Sequence, residues 1–142
     1  MAISEKPLHY LTIHEAQKLI HDQALSPVEL TRAVLERINA VDGKLHAYIN
    51  LMADGALQEA RAAETEISRG NWRGPMHGIP VAVKDQLDVE GAPARIRQHT
   101  KGVGDATAVR KLREAGAIMM GKLAMSSTPE EPPQPRNPWN TD

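Results

Sequence analysis

Apolar residues in the first half of the chain recur at helical spacing behind explicit start signals. Ile13, Ala16, Leu19 and Ile20 fall on one face, and Thr12-Ile13-His14-Glu15 stands in front of them. Thr12 can accept from the first free N–H groups while Glu15 reaches back to the Thr12 amide, the reciprocal arrangement of a capping box. Ser26-Pro27-Val28-Glu29 repeats the signal, with proline at the first helical position, where a missing N–H does no harm. Leu30, Val34, Ile38 and Val41 then supply a buried stripe. A third helix is expected from about Ala53 to Ser68, where Ala56, Ala60, Ala63 and Ile67 align and Gly70 provides a stop. Small residues on that face permit close helix packing.

The period changes after Gly70. Ile79-Pro80-Val81-Ala82-Val83 is a short apolar run, rich in β-branched residues and preceded by Gly74, Pro75 and Gly78. It reads as a buried strand with Lys84-Asp85 at its exit. Asp105 can cap a helix carrying Val109, Leu112 and Ala115, and Gly116 ends that helix before Ala117-Ile118-Met119-Met120-Gly121, a second strand. Strand, connection, helix and strand predict an α/β unit with parallel strands. The stretch from Ser126 to Asp142 holds five of the ten prolines and almost no aliphatic residues, and is expected to be extended.

Composition narrows the function classes. The 142 residues match one ordinary domain. Aromatics are only 3% with no Phe, so the core must be built from Ala, Leu, Ile, Val and Met. Lys plus Arg (17) nearly balance Asp plus Glu (18), which removes the electrostatic footprint of a nucleic-acid or anionic-membrane binder. Without cysteine there is no disulfide framework, thiolate nucleophile or thiolate zinc site. The N-terminus MAISEKPLHYL has no apolar signal region and no run reaches the roughly 18 apolar residues of a membrane span, so a cytoplasmic protein is expected.

Lys84 is the sharpest chemical candidate. A lysine at the end of a buried strand can lose enough hydration to serve as a neutral base, although most lysines in that position are solvated or paired with a neighbour such as Asp85 or Asp88. The six histidines, His9, His14, His21, His46, His77 and His99, form no metal-binding spacing, and His14 and His21 read as helix-surface residues. Lys122 follows a strand and a glycine, but no phosphate-binding loop precedes it. Arg110, Lys111 and Arg113 alternate with apolar residues and are expected on a solvated helix face. Ser126 and Ser127 read as turn residues with no glycine-rich backbone beside them.

The segment Gly74-Pro75-Met76-His77-Gly78-Ile79-Pro80-Val81-Ala82-Val83-Lys84-Asp85 closely resembles the one that carries the catalytic lysine of the amidase signature family. Asp105 to Ala117, followed by Gly121-Lys122-Leu123-Ala124-Met125, looks like the helix and strand leading into that family's active site. Arg136-Asn137-Pro138-Trp139-Asn140 resembles the stretch before its Gly/Ser-rich signature, and Ser26-Pro27-Val28-Glu29-Leu30 is similar to family N-termini. The resemblance therefore runs along nearly the whole chain. Two stretches depart from it: Ala92 to Gly104 is shorter and more basic than the usual connection, and Ser126 to Pro135 replaces an acidic-aromatic pair and a glycine-containing loop.

The resemblance implies an α/β fold in which N-terminal helices pack on part of a mixed β-sheet, truncated relative to the family and with sheet edges left uncovered. It implies one partial domain over 1–142, with a helical region at 1–70, an α/β region with the lysine motif at 71–125 and the proline-rich tail at 126–142. It also implies hydrolysis of carboxylic amide C–N bonds by a Ser-cisSer-Lys triad, with Lys84 as base and neither cofactor nor metal. Both serines and the oxyanion-hole backbone would belong to the Gly/Ser-rich signature that follows the Asn-Pro-Trp-Asn stretch in relatives, so this fragment is expected to be inactive alone. The partner is a small-molecule amide, and association with a second copy of the chain is the remaining partner expectation. Within the family the alternative is the A subunit of a glutamyl-tRNA amidotransferase. Outside it stands a noncatalytic module that self-associates or binds a partner through helix faces or a sheet edge.

Overall fold

Both expected start signals fold as capping boxes. The computed structural model describes residues 6–92, 104–125 and 134–140. After a 3-10 turn at Leu8–Tyr10, the elements are α1 (Ile13–His21), α2 (Pro27–Leu45), β1 (Tyr48–Leu51), α3 (Ala53–Ser68), β2 (Pro80–Lys84), α4 (Thr107–Glu114) and β3 (Ile118–Leu123). At α1 the Glu15 N–H donates to Thr12 Oγ1 at 3.2 Å while the Thr12 N–H donates to Glu15 Oε2 at 2.7 Å. At α2, Ser26 Oγ accepts from the Val28 and Glu29 amides at 3.0 and 3.2 Å, and the Ser26 N–H returns to Glu29 at 3.2 Å. A cap of this kind is worth about 1 kcal/mol.

The helical stripes bury largely as their spacing predicts. Ala56, Ala60, Ala63 and Ile67 of α3 are all buried, as are Leu30 and Ile38 of α2 and Ala16 and Ile20 of α1. Ile13 departs from the expectation at 53% exposed, because it is the first residue of α1 and lies before the turn that meets the core. α4 also departs in its start. Ala106 occupies the cap position without a side-chain bond. Asp105 instead accepts the Glu90 N–H at 2.7 Å and Arg113 Nε at 2.8 Å.

β1 is an element that the apolar pattern does not announce. Its four residues, Tyr-Ile-Asn-Leu, are half-buried or exposed and show no alternation. Tertiary bonds define it: Asp42 Oδ1 accepts the Ala47 N–H at 2.8 Å at the end of α2, and the Met52 N–H donates to the Met120 carbonyl at 2.9 Å. The sheet order is β1-β3-β2, with β1 antiparallel and β2 parallel to β3. The predicted parallel pair is therefore present and carries an antiparallel neighbour, which makes the sheet mixed. Among the described residues, β1 and β2 each have one side without a strand partner.

Two helices cover one face of the sheet and one covers the other. Ile38 of α2, Ala56 and Ala60 of α3, and Ile118 and Met120 of β3 form one cluster, with Ala82 packed against it. Val83 and Met119 pack with Val109 of α4 and with Val89 and Ala92 from the turn after β2. A third cluster of Ala16, Ile20, Leu25, Leu30, Ile67 and Ile79 joins α1, α2 and α3 at the entrance to β2. Each fully buried aliphatic side chain contributes about 1.5–3 kcal/mol, so these clusters fix the strand that carries Lys84. Residues 134–140 include a turn bridged between Asn137 and Asn140, and the Arg136 N–H donates to the Leu45 carbonyl at 2.7 Å.

Candidate functional site

Lys84 is the last residue of β2. Its backbone is held at the strand exit: the Leu87 N–H donates to the Lys84 carbonyl at 3.0 Å, and the neighbouring Asp85 N–H donates to the Leu123 carbonyl at 3.0 Å. Alternation along the strand puts Lys84 on the side of Ala82, which packs towards α2 and α3, and opposite Val83, which packs towards α4. The side chain is exposed. The hydration loss expected from the end of a buried strand is thus not provided by the described residues, because β2 is an edge strand and no further strand among them lies beyond it. The carboxyl ends of parallel strands, where Lys84 and Leu123 pair, are the side of an open α/β sheet on which ligands usually bind.

The buried lysine of this region is Lys122. It is 1% exposed and lies in β3 opposite Val83. Its Nζ stands 2.8 Å from Asp85 Oδ1, and Asp85 is itself 3% exposed. The contact is an ion pair outside hydrogen-bond angles, and Nζ has no hydrogen-bond acceptor among the described residues. Asp85 therefore answers Lys122 rather than its chain neighbour Lys84. Local spacing does not announce this pair, although two opposite charges at the ends of neighbouring apolar strands are a usable signal.

His77, one of the six histidines without metal spacing, organises the approach to β2. It is 1% exposed; its Nδ1 accepts the Arg73 N–H at 3.1 Å and its Nε2 faces Glu66 Oε2 at 3.3 Å. An accepting Nδ1 places the ring proton on Nε2, where it points at the carboxylate. Glu66 also takes a bidentate pair from Arg73, at 2.8 and 2.6 Å. Burial holds the His77 pKa below its ordinary 6.5, against the pull of Glu66. Gly116, at φ +83°, lies so close that a Cβ there would sit 2.5 Å from His77 Cδ2.

Arg113 is a correction to the expected solvated face of α4. It pairs with Glu59 of α3 and with Asp105, and is partly buried in doing so. A cleft of about 180 Å³ lies between Glu59, Glu66, Arg73, His77 and Arg113, and its lining does not include Lys84. Arg110 is exposed and pairs with Glu114 as a surface i,i+4 pair. Among the described residues no group of His, Asp or Glu could hold a metal ion, and no helix is long and apolar enough to cross a membrane. Ser126, Ser127 and most of the basic connection after Ala92 lie outside the described residues.

Comparison with known proteins follows the same lysine-bearing unit. Residues 29–142 match the family model described as Amidase. The chain is 42% identical over 146 residues to the A subunit of a glutamyl-tRNA(Gln) amidotransferase from Moorella thermoacetica, covering 95% of this chain and 30% of that protein. It is 36% identical over 147 residues to a putative amidase, AmiD, of Mycobacterium bovis, covering 97% of this chain and 31% of the relative. The fold superposes on the native peptide amidase from Stenotrophomonas maltophilia with a TM-score of 0.76 at 35% identity, over 84% of this chain and 26% of that one. The chain thus spans about a third or less of the length of the proteins it matches.

Proposed function

This chain belongs to the amidase signature family, and on that premise we propose that it supplies the lysine half of an amide hydrolase of the Ser-cisSer-Lys type, with Lys84 as base. Neutral Lys84 Nζ would take a proton through a bridging serine as a second serine hydroxyl attacks the amide carbonyl carbon. The C–N bond then breaks with the amine leaving protonated, and water hydrolyses the acyl-enzyme to the acid. A weak hydroxyl needs such a base within hydrogen-bond reach, together with donors for the oxyanion. The 142 residues hold no Gly/Ser-rich stretch to supply the serines and donors, so the chain alone is inactive in this reading.

The observation that supports it is the placement of Lys84 at the carboxyl end of a parallel strand pair, its backbone fixed and its side chain open to whatever covers the edge of β2. The test is amide hydrolysis by a polypeptide that joins residues 1–142 to the serine-bearing remainder. Lys84→Met should lower kcat/KM by about 10²–10⁴-fold. Unchanged turnover in that variant, or triad-dependent turnover by 1–142 alone, overturns the proposal.

A second reading is favoured by the 42% identity to the A subunit of an amidotransferase. In that reading the same chemistry would release ammonia from glutamine, and the chain would work with partner subunits. Copurification of those subunits with glutamine-dependent turnover selects this reading; hydrolysis of simple amides by a lone polypeptide selects the first.

A further inference from the structure

The Asp85–Lys122 pair is unusual for its place. Lys122 is among the largest fully buried side chains in the protein, and its ammonium meets one carboxylate and no hydrogen-bond acceptor among the described residues. A buried ion pair is a poor way to gain stability, since well-packed apolar residues of the same volume often serve as well or better. What a charge pair adds is a geometric demand. Apolar side chains tolerate sliding, whereas an ammonium and a carboxylate out of water must stay together.

The demand falls at the point where Lys84 leaves the sheet. Val83 pairs with Lys122 and Lys84 with Leu123 in the parallel register, and the bond from the Asp85 N–H to the Leu123 carbonyl at 3.0 Å closes the same corner. Pulling Asp85 inward has a second effect. The carboxylate next in sequence to Lys84 is neutralised by Lys122 and turned away from the exposed lysine. A free carboxylate there would favour the charged ammonium and disfavour the neutral amine that a base must be.

We propose that Lys122 is a positioning residue for Lys84, acting through Asp85: it fixes the strand exit and withholds from Lys84 the carboxylate adjacent to it in the chain. The inference rests on Lys84 as the reacting base, but its test needs no hydrolysis. In the 1–142 chain, the pH profile of Lys84 acylation by a small activated ester, followed by peptide mass spectrometry at low salt, reads the freedom of the amine. Amide hydrogen exchange at positions 85 and 87 reads the corner.

In Lys122→Met the released carboxylate reaches Lys84. The acylation profile moves to higher pH, with the rate at neutral pH about threefold lower, and exchange at both amides is about tenfold faster. Lys122→Arg restores both. The double variant Asp85→Asn/Lys122→Met restores the acylation profile while exchange stays fast. If Lys122→Met does not fold, the uncharged double variant carries the test through its amides alone. Wild-type exchange together with a wild-type acylation profile in folded Lys122→Met, or wild-type exchange in the double variant, overturns the proposal. A catalytic assignment that failed for Lys84 would show in hydrolysis and leave these readouts unmoved.

Discussion

The carboxylate of Glu59 in α3 accepts the backbone N–H of Met119 in β3 at 2.7 Å. Its other oxygen pairs with Arg113 of α4. One side chain therefore joins a helix on one face of the sheet, a central strand and the helix on the other face. Met119 is buried, and a buried N–H depends on its protein acceptor. Glu59→Ala should cost about 1–3 kcal/mol, the penalty for an orphaned buried donor, and lower Tm by about 4–12 °C. Glu59→Gln keeps an acceptor for Met119 and should lose less. Thermal melts of the two variants check the order; equal losses would show that the charge paired with Arg113 matters more than the bond to the strand.

His77 makes stability depend on pH. Burial lowers its folded pKa below 6.5, so the folded protein holds the neutral ring and the unfolded chain takes up the proton first as pH falls. The stabilisation is fully present above 6.5 and declines below it as pH approaches the lower folded value. A second proton on Nδ1 would also displace the Arg73 N–H and face the Arg73 charge, while Glu66 limits the loss. Denaturation midpoints should fall between pH 7.5 and pH 5.5 in the wild type and stay closer together in His77→Gln. Equal slopes in both proteins would remove His77 as the source.

Two glycines should respond oppositely to the same methyl group. Gly121 has φ +135°, and a Cβ there would lie 2.1 Å from the Asn50 carbonyl oxygen and 3.1 Å from Leu51 Cα, both backbone. Gly121→Ala should separate β1 from β3 and cost more than about 3 kcal/mol. Gly55, inside α3, has nothing within 4 Å of an added Cβ. Gly55→Ala should raise stability by about 0.5–1 kcal/mol by removing backbone freedom from the unfolded chain. Urea unfolding of the two variants measures both signs.

The elements legible in the sequence were those specified locally. Thr12 with Glu15 and Ser26 with Glu29 announce their helices within four residues, and the α3 stripe from Ala56 to Ile67 follows from spacing alone. β1 was not legible because its definition lies in bonds to β3 some seventy residues away. Asp105 and Arg113 mislead for the same reason. Each fits a local role as cap or solvated face, and each is claimed by a partner on another segment, Glu90 and Glu59 respectively. The lysine motif singles out Lys84 as a candidate, and only the parallel register shows that the buried lysine beside it is Lys122.

That division separates what Lys84 does for the fold from the chemistry proposed for it. Its side chain is exposed at the end of a strand that is the sheet edge among the described residues, and the bonds that fix its position come from its backbone and from Asp85. Lys84→Met leaves all of those in place. Its stability should stay within about 0.5 kcal/mol of the wild type, as for surface substitutions that break no partner. Asp85→Leu strands a buried ammonium and should cost about 3–5 kcal/mol. Unfolding of the two variants in the 1–142 chain decides the point. A large loss in Lys84→Met would make the lysine part of the fold, and a fall in hydrolysis on its removal could then no longer be assigned to proton transfer.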